Sequence, residues 1–195
     1  SAHVPAFTPA LDSVDNCVVT VTSADKHYTT TNVIFIDSNA KLAALRDRVD
    51  GCAATGGAGG GGGWRIVGGG LSIFIDLYST SDVVDLEALK DLRAIDGKDS
   101  VGWSLSIYNN AKLASLAGLR NVRGALPGAL YVRYNGALTS LSGLEGITRI
   151  EGKASGYPYY SLYIVTSCAL CLSAADRARL TSCAETCYGL TCPGP

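Results

Sequence analysis

The chain has 195 residues, of which 47% are hydrophobic, with 16 basic and 17 acidic side chains and a net charge of -1. That is enough apolar material for one domain with a continuous core, and the charges are scattered singly, leaving no basic stripe to hold nucleic acid or an anionic membrane. Apolar stretches such as Leu71 to Ile75, itself interrupted by Ser72, fall far short of the roughly 20 residues that cross a bilayer.

In chain order, residues 1–32 read as an N-terminal cap containing Cys17. The first repeat unit follows, with Ile34, Ile36, Asn39, Leu42 and Leu45 at offsets 0, 2, 5, 8 and 11. A step of two is strand periodicity, and the later steps of three suit a tight turn or a short 3₁₀ or helical segment rather than a long amphipathic helix. Cys52 ends this unit. A bridge from Cys17 to Cys52 would close a loop of about 35 residues, worth roughly 4 kcal/mol if it acts by restricting the unfolded chain.

Ala53 to Gly63 holds seven glycines in eleven positions and reads as an inserted loop. It has no Lys-Ser/Thr sequel, so it lacks the chemistry of a phosphate cradle. A partial unit then begins at Leu71 and Ile73 and resumes at Leu86 and Leu89, after an insertion around Tyr78 to Val84. Two full units come next: Leu105, Ile107, Asn110, Leu113, Leu116, and then Leu130, Val132, Asn135, Leu138, Leu141. Their stretches LSIYNNAKLASLAGL and LYVRYNGALTSLSGL agree at seven of fifteen positions with a period of 25 residues. Leu162, Ile164, Ser167 and Leu170 make a last partial unit.

Glycine follows an apolar residue by two in Ile95-Asp96-Gly97, Val122-Arg123-Gly124 and Ile150-Glu151-Gly152, which predicts positive φ or close backbone approach where the chain turns back. Such a unit cannot bury its apolar edge alone and must stack on its neighbours. The expectation is a β-rich, α/β-leaning solenoid, a single domain over 1–195, with about five short-strand coils over 33–173 forming a parallel sheet. Asn39, Asn110 and Asn135 fall on the inward pattern, where a ladder of amides bonded to neighbouring coils would satisfy them.

Solenoid ends need caps. Cys168, Cys171, Cys183, Cys187 and Cys192 crowd the last stretch, where Ser173 to Leu180 has an N-cap signature and reads as a short helix inside a cap spanning 174–195. Cys-x-x-Cys followed by Cys-x-x-x-Cys would also serve a zinc site, but disulfides suit the pattern better, and the odd total of seven cysteines leaves at least one thiol free or paired with another chain. The chain contains no methionine, so it is expected to be a processed product or a fragment. With the cysteines, this points to secretion or the cell surface. No Asn-x-Ser/Thr acceptor occurs, so N-glycosylation is not expected.

The repeat resembles two related families. Leucine-rich repeats share the strand-and-turn core Leu-x-Leu-x-x-Asn-x-Leu, from which this chain departs by one extra residue before Leu113. The stretches GLSIFI, SLSIYNNAKLASLAGLRNVRG and ALYVRYNGALTSLSGLEGITRIEG are closer to the receptor L-domain of growth-factor-receptor ectodomains and fungal cell-wall surface proteins. That resemblance, over roughly residues 33 to 173, implies a right-handed solenoid and says little about ligand.

No metal or cofactor set is expected. The two histidines sit apart, His3 in a terminus expected to fray and His27 in a polar loop, and Asp37, Asp76, Asp82 and Asp85 are the only acids that stacking would gather; they read as solvated loop residues. The outward strand offsets are richer, running Phe35 and Asp37, Ser72 and Phe74, Ser106 and Tyr108, Tyr131 and Arg133, Tyr163 and Val165. Phe35, Phe74, Tyr108, Tyr131 and Tyr163 would form one aromatic face with Arg133 at its edge, suited to gripping a protein or a glycan. The expected function is a non-enzymatic extracellular recognition or adhesion module. The alternative is a structural subunit of a wall, matrix or surface fibre, joined to copies of itself; ice binding is disfavoured because such faces repeat short Thr or Ala side chains.

Overall fold

The computed structural model describes residues 17–24, 26–27, 30–52, 62–74, 82–155, 160–165, 170, 174–183 and 187–188. In chain order the elements are β1 (Val18–Thr20), β2 (Lys26–His27), β3 (Thr30–Thr31), β4 (Val33–Ile36), α1 (Asn39–Val49), β5 (Trp64–Val67), β6 (Gly70–Phe74), β7 (Leu92–Asp96) and β8 (Trp103–Tyr108). They continue with β9 (Gly124–Leu126), β10 (Ala129–Arg133), β11 (Ile147–Ile150), β12 (Leu162–Val165), α2 (Ala174–Cys183) and β13 (Cys187–Tyr188). The fold is β-rich and its larger sheets are parallel.

The strand predicted for each repeat unit lies in one six-stranded sheet, ordered β4-β6-β8-β10-β12 with β13 beyond. Offset 0 forms a single register row, Ile34, Leu71, Leu105, Leu130 and Leu162, and offset 2 forms a second, Ile36, Ile73, Ile107, Val132 and Ile164. None of these ten side chains is more than 1% exposed. Alternation puts both rows on the inner face of the sheet, so a slip of one residue would turn every one of them to water.

The steps of three are hydrogen-bonded turns. Leu113 N–H donates to Asn110 O, Leu138 N–H to Asn135 O, Leu119 N–H to Leu116 O and Leu144 N–H to Leu141 O. Short 3₁₀ segments at Glu87–Leu89 and Ala117–Leu119 carry Leu89 and Leu119 into the core. The chain then returns through a second layer of short strands, β1-β5-β7 and β9-β11, with Arg123 N–H donating to Arg93 O between the two groups.

The first unit takes the helical alternative and forms an α-helix of 11 residues. Ser38 is extended, at φ -154° and ψ 157°, and its hydroxyl caps the helix by accepting from Lys41 N–H. Asp82 adds a carboxylate oxygen 2.8 Å from the Asn39 N–H, where a negative charge favours the helix dipole. Leu42, Leu45 and Val49 face the core. The Cys17–Cys52 disulfide ties the start of β1 to the end of this unit across 35 residues of sequence.

The glycine phase also differs at one place. Leu126, not Val122, pairs with Ile150, and Gly124 pairs with Ile147, with a one-residue register shift between Ile147 and Arg149. The residues in line with Ile150-Glu151-Gly152 are therefore Leu126-Pro127-Gly128, and a Cβ on Gly152 would stand 2.5 Å from Pro127 O. Gly124 instead opens β9 at φ +89°.

At the C-terminal end α2 docks through Leu180, which is fully buried, and through Arg179 Nη1, which donates to Leu144 O at 3.1 Å. β13 adds a sixth strand to the sheet, which the repeat pattern did not foretell. Cys183 and Cys187 lie on described backbone, whereas Cys168, Cys171, Cys192 and Ser173 lie outside the described residues, as do His3, Asp76, Ser167 and 53–61 of the glycine-rich run. The far end of that run is held: Gly63 N–H donates to Cys52 O and Arg93 Nε to Gly62 O.

Candidate binding face

The outer face of the six-stranded sheet carries two register rows. One runs Phe35, Ser72, Ser106, Tyr131, Tyr163, and the other contains Phe74, Tyr108, Arg133 and Val165. The short Ser72 and Ser106 side chains leave room for large neighbours to lean across diagonals, which aromatic side chains can span. The rings therefore make one zigzag: Phe35 to Phe74 at 5.8 Å, Phe74 to Tyr108 at 4.9 Å, Tyr108 to Tyr131 at 5.7 Å and Tyr131 to Tyr163 at 5.1 Å between centroids. All five sequence-predicted aromatics are in contact with a neighbour in the chain.

Exposure along the zigzag is uneven. Phe74, Tyr108, Tyr131 and Arg133 are half-buried, whereas Phe35 and Tyr163 at the two ends are buried, at 7% and 4%. Lys41 lies over the Phe35 ring at 4.9 Å and is paired with Asp37 at 2.7 Å, which closes that end. The usable surface is the middle of the zigzag, from Phe74 to Arg133.

Three more aromatics join it that the offsets do not select. Trp103 packs on Tyr131 at 4.8 Å, Tyr134 on Tyr108 at 5.6 Å and Tyr160 on Tyr163 at 5.9 Å. By strict alternation Trp103, two residues before Leu105, belongs inside. An irregularity pairs Trp103 with Ala129 while Leu105 pairs with Leu130, so β8 carries an extra residue and the indole emerges on the outer side. Tyr134 has φ +56°, a left-handed conformation that is uncommon for a bulky residue, and it is 44% exposed.

Arg133 sits among these rings. Its guanidinium lies 4.1 Å from the Tyr134 centroid and 5.8 Å from that of Tyr163, in cation–π range, and it donates to the Tyr134 hydroxyl. Burial works to lower its pKa, but the hydrogen bond to Tyr131 and the nearby phenols outweigh that and hold it above the ordinary value. Burial raises the pKa of Tyr131, with Arg133 pulling partly the other way. At physiological pH the face thus carries a charged guanidinium beside the neutral Tyr131 phenol.

Asp99 shapes the connection that delivers Trp103. It is 7% exposed, and its Oδ1 accepts from Val101 N–H at 3.0 Å and Trp103 N–H at 2.9 Å. Burial lifts its pKa above the usual carboxylate range, against the pull of the Trp103, Val101 and Gly102 N–H groups. A carboxylate whose folded pKa is raised contributes stability that is present below the unfolded value of about 3.9 and lost as pH rises through the folded value. Asp99→Asn keeps an acceptor without the buried charge. It is expected to match or exceed the native chain at pH 7 by about 1 kcal/mol or less, the difference vanishing below about pH 4, whereas Asp99→Ala loses about 1–3 kcal/mol; urea unfolding across that range checks both.

The remaining predicted residues are elsewhere. Asn110 and Asn135 are buried beneath the sheet and bonded to each other, whereas Asn39 is exposed at the start of α1 and its Nδ2 donates to Asp82 O. Asp37, Asp82 and Asp85 do not meet in one cluster: Asp37 pairs with Lys41, Asp82 caps α1, and Asp85 accepts from Glu87 N–H. Among the described residues no three His, Cys, Asp or Glu side chains gather as metal ligands, and no helix is long and apolar enough to cross a membrane. Compared with protein-family models, curated proteins and solved structures, the chain matches none.

Proposed function

We propose that this chain is a non-enzymatic recognition module, a right-handed solenoid of receptor L-domain type that works outside the cell and holds a protein or glycan on the outer face of its six-stranded sheet. The observation that carries the reading is the unbroken aromatic zigzag across five strands, half-exposed at its centre and joined by Trp103, Tyr134 and Tyr160. Aromatic clusters of this kind supply large contact area at low ordering cost and keep a polar tip for hydrogen bonding. The Cys17–Cys52 disulfide supports an oxidising compartment.

The test is to screen the protein against a glycan array and a phage-displayed random peptide library, then to measure each binder with Tyr131→Ala and Tyr108→Ala. Both substitutions are expected to weaken binding at least roughly tenfold, as hot-spot truncations do, while the unfolding midpoint shows that the fold persists. Binders that ignore both substitutions would place recognition on another surface.

A further inference from the structure

Four rings of this face are stacked in two pairs. Phe74 and Tyr108 are register partners on adjacent strands, and such strands lie about 4.8 Å apart. Their centroids are 4.9 Å apart with planes at 12°, so the two rings look at each other across the strands. Tyr131 and Tyr163, also register partners, stack in the same way at 5.1 Å and 19°. The other side of Phe74 is taken by Phe35, and that of Tyr108 by Tyr131 and Tyr134. Side chains stand away from a sheet, so the exposed part of each stacked ring is its edge.

The edge is the positive part of the ring quadrupole and the face the negative part. Arg133 adds a full positive charge at the same place. Its Nε is buried with no hydrogen-bond partner, and among the described residues it forms no ion pair, whereas Lys41 at the far end is neutralised by Asp37. Among the described residues, the centre of the face is therefore apolar, positive in potential and without an acid of its own.

We infer that the occupant is an acidic peptide segment: an Asp or Glu carboxylate seated on Arg133 and the tyrosine rims, with apolar side chains beside it against Phe74 and Tyr108. This inference rests on the sheet-face reading above and adds the chemistry of the partner. A guanidinium takes a carboxylate bidentately, and positive ring edges favour oxygen. A sugar, by contrast, stacks its C–H groups on an open ring face, and the stacked rings have spent those faces on one another. Peptide is therefore favoured over glycan.

The experiment pans a phage-displayed random peptide library on the protein, with a glycan array as the competing arm. Enriched peptides are expected to carry Asp or Glu next to aromatic or aliphatic residues and to bind more weakly as salt rises. Replacing the peptide's acid with its amide, or Arg133→Gln in the protein, should weaken binding roughly ten- to a hundredfold; panning on Arg133→Glu should enrich Lys and Arg instead. The inference is overturned by enrichment without acidic bias, by amide peptides that bind equally well, or by glycans binding while no peptide is enriched. If Tyr131→Ala abolishes binding and Arg133→Gln does not, only the acidic partner fails; if neither matters, the sheet-face reading fails with it. The amide peptide tests the unaltered protein, so the result does not hang on a variant's folding.

Discussion

Gly118→Ala is expected to cost about 4 kcal/mol or more, lowering the unfolding midpoint by roughly 10 °C in a chain of this size. A Cβ at Gly118 would overlap the Leu86 carbonyl and stand 2.8 Å from Glu87 N. These are backbone atoms of the preceding repeat, which cannot rotate aside as a side-chain tip would. The same contact recurs one repeat later, where a Cβ on Gly143 would overlap the Leu116 carbonyl. Gly118 and Gly143 thus set how closely successive 3₁₀ turns approach, and pushing one turn away from the next separates the buried leucines on both sides of it. Gly136 is the control: its nearest neighbour to an added Cβ is Ala111 O at 3.9 Å, and Gly136→Ala is expected to change stability by about 1 kcal/mol or less, in the stabilising direction if the reduced freedom of the unfolded chain prevails. Thermal or urea unfolding of the two variants, side by side, checks the contrast. Equal effects would mean that close approach of the turns does not hold the repeats together.

The parts of this fold that could be read from sequence are those where one residue's spacing dictates one hydrogen-bond pattern. Offsets 0 and 2 became two register rows because alternation leaves a strand no other way to bury both, and the steps of three became the turn bonds from Leu113 to Asn110 and from Leu138 to Asn135. Where the same letters admit two structures, the pattern fell short. Asn-Ala-Lys-Leu-Ala occurs at 39–43 and again at 110–114, yet the first copy is helix and the second is turn. The difference lies in the flanks. Ser38 is extended and caps a helix, whereas Asn109 takes φ +58°, a conformation that asparagine tolerates well. Downstream, Ser115 accepts from Ala117 N–H and Gly118 fits against the preceding turn, where the first copy has Ala44 and continues as helix. The aromatic core of the candidate face was legible from alternation. Trp103 was hidden by the irregular pairing of β8, Tyr134 by its place past the end of a strand, and the lack of an ion pair at Arg133 among the described residues depends on tertiary neighbours that no spacing encodes.

The buried amides yield the second large effect. Asn110 is fully buried; its Nδ2 lies 2.9 Å from Ile73 O, 3.1 Å from Tyr108 O and 3.2 Å from Asn135 Oδ1, which also accepts from Asn110 N–H at 3.1 Å. Asn135 Nδ2 in turn donates to Ile107 O at 2.9 Å. Each amide thus satisfies a carbonyl of the preceding strand, and the two residues clamp three successive strands, β6, β8 and β10. Asn110→Ala strips a donor from Ile73 O where water cannot replace it and leaves Asn135 Oδ1 with the backbone N–H of residue 110 but not its amide, and is expected to cost about 2–4 kcal/mol. Asn135→Ala is expected to cost about as much, and because the pair shares two hydrogen bonds, the double variant should fall short of the sum by about 1 kcal/mol. Asn39→Ala supplies the comparison from the exposed start of α1, where losing the Nδ2 bond to Asp82 O should cost about 0.5 kcal/mol or less. Asn110→Asp separates donation from shape: a carboxylate of nearly the same size cannot donate to Ile73 O and must be buried, so it should destabilise more than alanine at pH 7 and recover as pH falls and the acid regains a proton to donate. Urea unfolding of all five variants at pH 7, with the Asp variant repeated at lower pH, checks the set, and additive single costs or a pH-independent Asp variant would contradict a shared amide clamp between the strands.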